Sequence, residues 1–162
     1  MRLAVNILIK TIMLLLVVMC STLVGFSVSN KLYKRKSILE SFLLLIKNSA
    51  TKIRYTNSTL ATIFSDNFMD FNFDEETSFS SQWNEMLNEY NKILKTDDIK
   101  ILRDFGSKLG TTDVLGEEKN IEMYLELLNE KINDASDCIQ KKSKLYKTLG
   151  LSAGITVSIL LL

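Results

Sequence analysis

Histidine is absent from this chain, and its two cysteines, Cys20 and Cys138, do not form a C-x-x-C pair. The commonest metal ligand, which is also the side chain that titrates near neutrality, is therefore missing, and no zinc or thiol-redox motif is indicated. No glycine-rich phosphate loop, serine nucleophile elbow or paired-carboxylate signature stands out either. What remains is carboxylate and phenol chemistry suited to recognition. Five residues are candidates for contact with a protein partner: Tyr55, Asp97, Asp98, Asp104 and Asp113, each expected on the surface. Each also has a plainer use. Tyr55 suits a helix end in the core, Asp97, Asp98 and Asp113 sit where helix caps are expected, and Asp104 suits a solvated face. The residue types predict a protein that is not an enzyme and carries no cofactor.

The elements that must position these residues begin at the two ends. Residues 11–30 form twenty positions without a charge, and residues 148–162 form a second uncharged run. Twenty residues span roughly 30 Å as a helix, the thickness of a bilayer's hydrocarbon core. Lys31, Lys34, Arg35 and Lys36 follow the first run, and Lys141, Lys142, Lys144 and Lys147 precede the second. Juxtamembrane lysine and arginine resist translocation, so both inner flanks are expected on the cytoplasmic side. The reading is an anchor at 1–30, a cytoplasmic helical domain at 31–147 and a second membrane helix at 148–162. Counted from Tyr146 the second run reaches only about 25 Å, so spanning requires local thinning or snorkelling by Lys144 and Lys147. A buried core helix and an interfacial segment stay open as alternatives for it.

Small residues favour pairing of the two spans. Ser21, Gly25 and Ser29 recur every four residues in the first run, and Gly150, Gly154 and Ser158 do so in the second. Each set lines one helix face, and small faces let helix backbones approach in lipid. Counted outward from the lysines, the two stripes fall at matching depths. Met19 precedes Cys20, where a lipoprotein signal has a small residue, and no A-x-A-like site follows before Lys31; the expectation is an uncleaved anchor. The competing class is a signal-anchored or lipoprotein-like extracytoplasmic binding protein.

Between the ends, residues 37–140 carry 10 Lys/Arg against 19 Asp/Glu, a net −9 that disfavours nucleic acid as a partner. The flanking basic collars suit anionic lipid headgroups. Proline is absent and glycine scarce in this region, which predicts an all-α domain of five to six antiparallel helices. Ile38, Phe42, Leu45, Ile46, Ser49 and Ile53 make one apolar face, and a short helix through Leu60, Ile63 and Phe64 follows. Residues 67–76 are irregular, and Phe68, Phe71 and Phe73 suit either a plug packed under the loop or an exposed apolar patch. Ser78 caps a helix bearing Phe79, Trp83, Met86, Leu87, Tyr90, Ile93 and Leu94. Thr96-Asp97-Asp98 opens a helix with Ile99, Leu102, Phe105 and Leu109, which Gly110 ends. Thr112 and Asp113 open the long last helix, whose seam is Ile121, Tyr124/Leu125, Leu128, Ile132, Ala135 and Ile139. That helix is expected to run on into the second span.

Taken in order, several pieces resemble the stage III sporulation protein AB family of endospore-forming Firmicutes. They are Thr22-Leu23-Val24-Gly25-Phe26, Tyr33-Lys34-Arg35, Ile53-Arg54-Tyr55 with Leu60, Trp83, Leu109-Gly110-Thr111-Thr112-Asp113, and Tyr146-Lys147-Thr148-Leu149-Gly150 through Gly154. The chain departs from the family pattern at Lys36 and Thr59, where proline is usual, at Glu117, where glutamine is usual, and at Lys52, where an acidic residue is usual. The resemblance implies a non-enzymatic platform in the channel complex between mother cell and forespore. It implies a soluble domain similar to the cytoplasmic domains of type II secretion and type IV pilus platform proteins. It also implies a location in the mother-cell membrane around the forespore. The implied partners are a secretion-type ATPase and other stage III sporulation proteins, with membrane lipids around the anchors; homo-oligomer formation is left open.

Overall fold

The protein is seen in a computed structural model that describes residues 2–55, 64, 77–112 and 114–160, with side chains described at 9–53, 64, 77–112 and 115–160. The helix expected at Leu60 and Ile63, the phenylalanine-rich stretch 67–76, Asp113 and the Tyr55 side chain lie outside the described residues. Helices and the turns between them make up all that is described. They are α1 (Arg2–Tyr55), α2 (Phe79–Glu89) with a 3₁₀ turn at Tyr90–Lys92, α3 (Thr96–Lys108), α4 (Val114–Cys138), a π-helical segment (Ile139–Ser143) and α5 (Lys144–Leu160). Contacts divide the chain into two compact units, residues 35–134 and residues 1–34 together with 135–162.

The unit of residues 35–134 is built on apolar stripes at helical spacing. Leu39, Phe42, Leu45 and Ile46 of α1 are buried, as are Trp83, Met86 and Leu87 of α2 and Ile99, Leu102 and Phe105 of α3. In α4 the same is true of Ile121, Tyr124, Leu128 and Ile132. Trp83 is the hub. Its ring lies 5.8 Å from Phe42, 5.6 Å from Phe64, 5.7 Å from Phe79 and 5.6 Å from Phe105. An indole N–H this deeply buried needs an acceptor, and Nε1 donates to the Leu102 carbonyl at 2.7 Å. Glycine at position 106 makes that approach feasible, because a Cβ there would collide with the Trp83 indole.

Helix ends follow the sequence in position more than in mechanism. Ser78 is the N-cap of α2, yet its hydroxyl makes no capping bond; its carbonyl accepts from the Ser81 and Gln82 N–H groups at 3.0 and 3.2 Å. Lys95, whose side chain has no acceptor, holds the N-cap of α3. Asp98 supplies the missing acceptor by reaching back to the Lys95 N–H at 2.9 Å. At the other end Gly110 takes φ 79°, the left-handed turn for which only glycine carries no Cβ penalty.

In the other unit α1 and α5 are in close contact. A Cβ on Gly150 would sit 3.0 Å from the Gly25 Cα, and one on Gly154 would sit 3.0 Å from the Val18 Cα. Among the described residues one helix, α1, is long and apolar enough to cross a membrane. At 17 residues α5 is shorter.

Gly106→Ala tests the hub. The added methyl is expected to displace Trp83 and lower unfolding stability of the full chain by about 1–3 kcal/mol, read from denaturant melts in detergent. A midpoint equal to wild type would show that Trp83 has room to spare.

Candidate functional site

In the unit of residues 35–134, α3 begins with one carboxylate turned outward and one turned inward. Asp97 is exposed in the first turn, where the helix dipole favours negative charge. Asp98 is fully buried, and it corrects the expectation of an exposed contact residue. It accepts from Arg35 Nε at 2.7 Å and from Nη2 at 2.8 Å, a bidentate pair with both partners out of water. Its desolvated charge is already committed to Arg35 and to the Lys95 N–H, so it has nothing to offer a partner. Arg35 is corrected with it. Counted as a fourth charge of the basic collar, it is 5% exposed and neutralised inside the body, leaving Lys31, Lys34 and Lys36 on the flank.

About two turns along α3 from Asp97, Asp104 stands at the edge of a broad groove of about 1100 Å³, with Asn84, Asp97, Lys100, Arg103 and Tyr124 in its lining. Its Oδ2 accepts from the Tyr124 hydroxyl at 2.6 Å and from Lys108 Nζ at 2.9 Å. The phenol bond, and then the ammonium, hold the Asp104 carboxyl below its usual range. Burial, and next the bond to Asp104, push the Tyr124 phenol up, and the Asp104 bond also raises Lys108. Arg103 Nε reaches Asn84 Oδ1 at 3.1 Å and ties α3 to α2. The groove thus presents fixed charges of both signs around an ordered phenol, an arrangement suited to orienting a polar partner surface.

The structure brings Asp97 and Asp104 to one groove, turns Asp98 away, and leaves Asp113 and the Tyr55 side chain undescribed. In the other unit it gathers the small residues. Ser21 Oγ donates to the Gly150 carbonyl at 2.6 Å, and Ser158 Oγ to the Leu14 carbonyl at 3.3 Å. The hydroxyls of Ser29 and Ser143 meet at 2.7 Å. Gly25 faces Gly150 and Tyr146. The stripes meet one turn out of the register that counting from the lysines suggests, and Lys147 lies over the Phe26 and Tyr33 rings at 5.4 and 5.9 Å.

The stage III sporulation protein AB family model matches residues 10–162. The chain belongs to that family. It is 32% identical to stage III sporulation protein AB of Bacillus subtilis (strain 168) over 107 residues, 65% of this chain and 60% of that relative's length. No solved structure matches. A role in sporulation follows for the chain from this membership.

Sequence reasoning missed the role of three side chains, Arg35, Asp98 and Glu117, and the first two left a trace. Arg35 continues the buried stripe Leu39, Phe42, Ile46 one turn backward, and Asp98 does the same for Leu102, Phe105, Leu109. Opposite charges heading two apolar stripes are a pairing signal. Glu117 is the third. From inside α4 its Oε1 accepts the Gly110, Thr111 and Thr112 N–H groups at 2.8, 3.0 and 3.2 Å and closes the turn after α3.

Arg35→Met is expected to cost about 3–5 kcal/mol by stranding the Asp98 charge, and adding Asp98→Leu should recover most of it; thermal melts of the three variants decide. Asp104, with its lowered folded value, contributes stability above about pH 3.9 that is lost as pH falls through that folded value. In Tyr124→Phe the Asp104 carboxyl should therefore titrate at higher pH than in wild type, measured by side-chain carbon NMR. An unmoved titration would mean that the phenol bond does not hold it.

Proposed function

We propose that this protein is a non-enzymatic membrane platform of the sporulation apparatus, which places a helical docking body on the cytoplasmic face of the mother-cell membrane around the forespore. The body engages a secretion-type ATPase and other stage III proteins, and no chemistry is performed by the platform itself. The observation that carries this reading is the make-up of α1. One helix holds both the stretch apolar enough for a bilayer and, from Arg35 onward, a buried wall of the body. Family membership supports the sporulation setting.

Orientation follows from charge. Lys31, Lys34, Lys141, Lys142 and Lys144 are exposed, and such flanks stay on the side of synthesis. In this reading α5 is the second span; its 17 residues cover about 25 Å, and snorkelling of Lys144 and Lys147 makes up the shortfall. Asp97 and Asp104 in the groove of α3 are the preferred contact residues for the ATPase, with the exposed Lys100 and Arg103 beside them setting orientation.

One experiment in sporulating cells tests the reading. Tagged full-length protein is purified after crosslinking, and single cysteines at positions 66–76 in a Cys20→Ser/Cys138→Ser background are probed with an impermeant thiol reagent. The cysteines should stay unlabelled until cells are opened. A sporulation ATPase should co-purify, its yield falling about tenfold in Asp97→Lys/Asp104→Lys, as for loss of a charged interface contact. Labelling in intact cells would place the body outside, in favour of the extracytoplasmic alternative.

A further inference from the structure

We propose that the π segment Ile139–Ser143 is a phase corrector, which takes up one surplus residue so that the small face of α5, and not its large face, meets α1. Every residue involved belongs to the unit formed by residues 1–34 and 135–162. Ala135 is 1% exposed and Ser143 is 5% exposed, so both face inward. They are eight positions apart. At roughly 100° per residue, eight positions in a regular α-helix end about 80° away from the starting face. Seven positions return to nearly the same face, which is why apolar seams repeat in heptads. A single π turn, with its i→i+5 bonds, holds one more residue than an α turn. Across Ile139–Ser143 eight positions therefore do the work of seven.

Beyond the segment the spacing is regular. Gly150 lies seven positions after Ser143, and Gly154 and Ser158 follow at fours. Every member of this set touches α1. Ser143 meets the Ser29 hydroxyl at 2.7 Å and the Tyr33 hydroxyl at 3.4 Å. Gly150 takes the Ser21 hydroxyl on its carbonyl and lies against Gly25; Gly154 lies against Val18 and Ser21. Ser158 donates to Leu14.

A regular helix of the same sequence would carry a different set to the same face. Counting seven, fourteen, eighteen and twenty-two from Ala135 gives Lys142, Leu149, Ala153 and Val157. Leu149 and Val157 are now 52% and 43% exposed. Turned inward, Lys142 would put a charge beside the buried Ser29, and Leu149 would hold the backbones apart at Gly25. Helices without a hydrophobic drive between them associate through close backbone approach and hydrogen bonds. The surplus residue thus turns toward α1 a face of α5 that offers both. The Ser29–Ser143 pair, buried at the end of the segment, latches the choice.

Length changes separate this from a helix whose phase is set by α5 alone. In full-length protein kept in membranes, with Cys20→Ser/Cys138→Ser, the pairs Ser29→Cys/Ser143→Cys and Leu14→Cys/Ser158→Cys are oxidised and scored for crosslinking. Deleting Gln140 removes the surplus, so both crosslinks should persist within about twofold while the segment becomes ordinary α-helix. Inserting one alanine after Gln140 adds a second surplus residue. Both yields should then fall about tenfold, since a cysteine turned by ~100° leaves bridging range. Loss of the crosslinks on deletion overturns the proposal, and the deletion arm stands even if the insertion variant does not fold. Crosslinks that survive the insertion overturn it equally.

Discussion

A guanidinium and a carboxylate removed from water together constrain how this protein is built. Taking either ion out of water alone costs several kcal/mol, and only close geometry with further hydrogen bonds offsets the cost for the pair. Arg35 and Asp98 meet that condition with two bonds under 3 Å and a third from the Lys95 N–H. Neither can shift along its helix without leaving the other's charge uncompensated. The pair therefore sets the register of α1 against the start of α3. Apolar contacts alone are permissive about such register. The same carboxylate caps α3, so helix start and tertiary contact are one event.

Packing around Trp83 builds on that register. Four aromatic rings surround the indole, and its N–H is satisfied by a carbonyl of α3 only because position 106 has no side chain. The turn that follows is closed by Glu117, whose carboxylate gathers three consecutive backbone N–H groups. Tyr124 then spans core and surface. Its ring lies 5.4 Å from Phe105, while its hydroxyl fixes Asp104 at the rim of the groove. The outward chemistry of Asp104 is thereby anchored to the inward order of α4. A groove whose charged groups are held by the core has less freedom to lose when a partner arrives.

Between α1 and α5 different physics operates. Glycine and serine replace the aromatic and aliphatic residues of the body, and hydroxyl bonds to backbone carbonyls replace ring contacts. Close backbone approach and hydroxyl bonds of this kind bind helices without burying leucine against leucine. The exposed flanks of α1, among them Leu15, Leu16, Leu23 and Val24, are of the kind that a bilayer covers.

Much was legible because it is local. The uncharged run 11–30, the helical spacing of Phe42, Trp83, Leu102 and Leu128, the absence of proline and the left-handed turn at Gly110 each depend on a few neighbouring residues. Backbone sterics and helical periodicity fix such features wherever the chain goes. Arg35 and Asp98 were misplaced because a single sequence shows a charge and not its surroundings: lysines on either side made Arg35 look like one more collar residue. Glu117 was missed for a related reason, since a cap drawn from within the following helix leaves no short motif. The register of α1 against α5, and the phase that lets Gly150 reach Gly25, were beyond local reading as well. They depend on contacts between residues far apart in the chain, such as Ser21 and Gly25 against Gly150. The linear sequence thus determined which residues form helices and which faces are apolar. Only the tertiary structure decided which charges lose their water and which turn of one helix meets which turn of another, because both depend on partners 63 and 129 positions away along the chain.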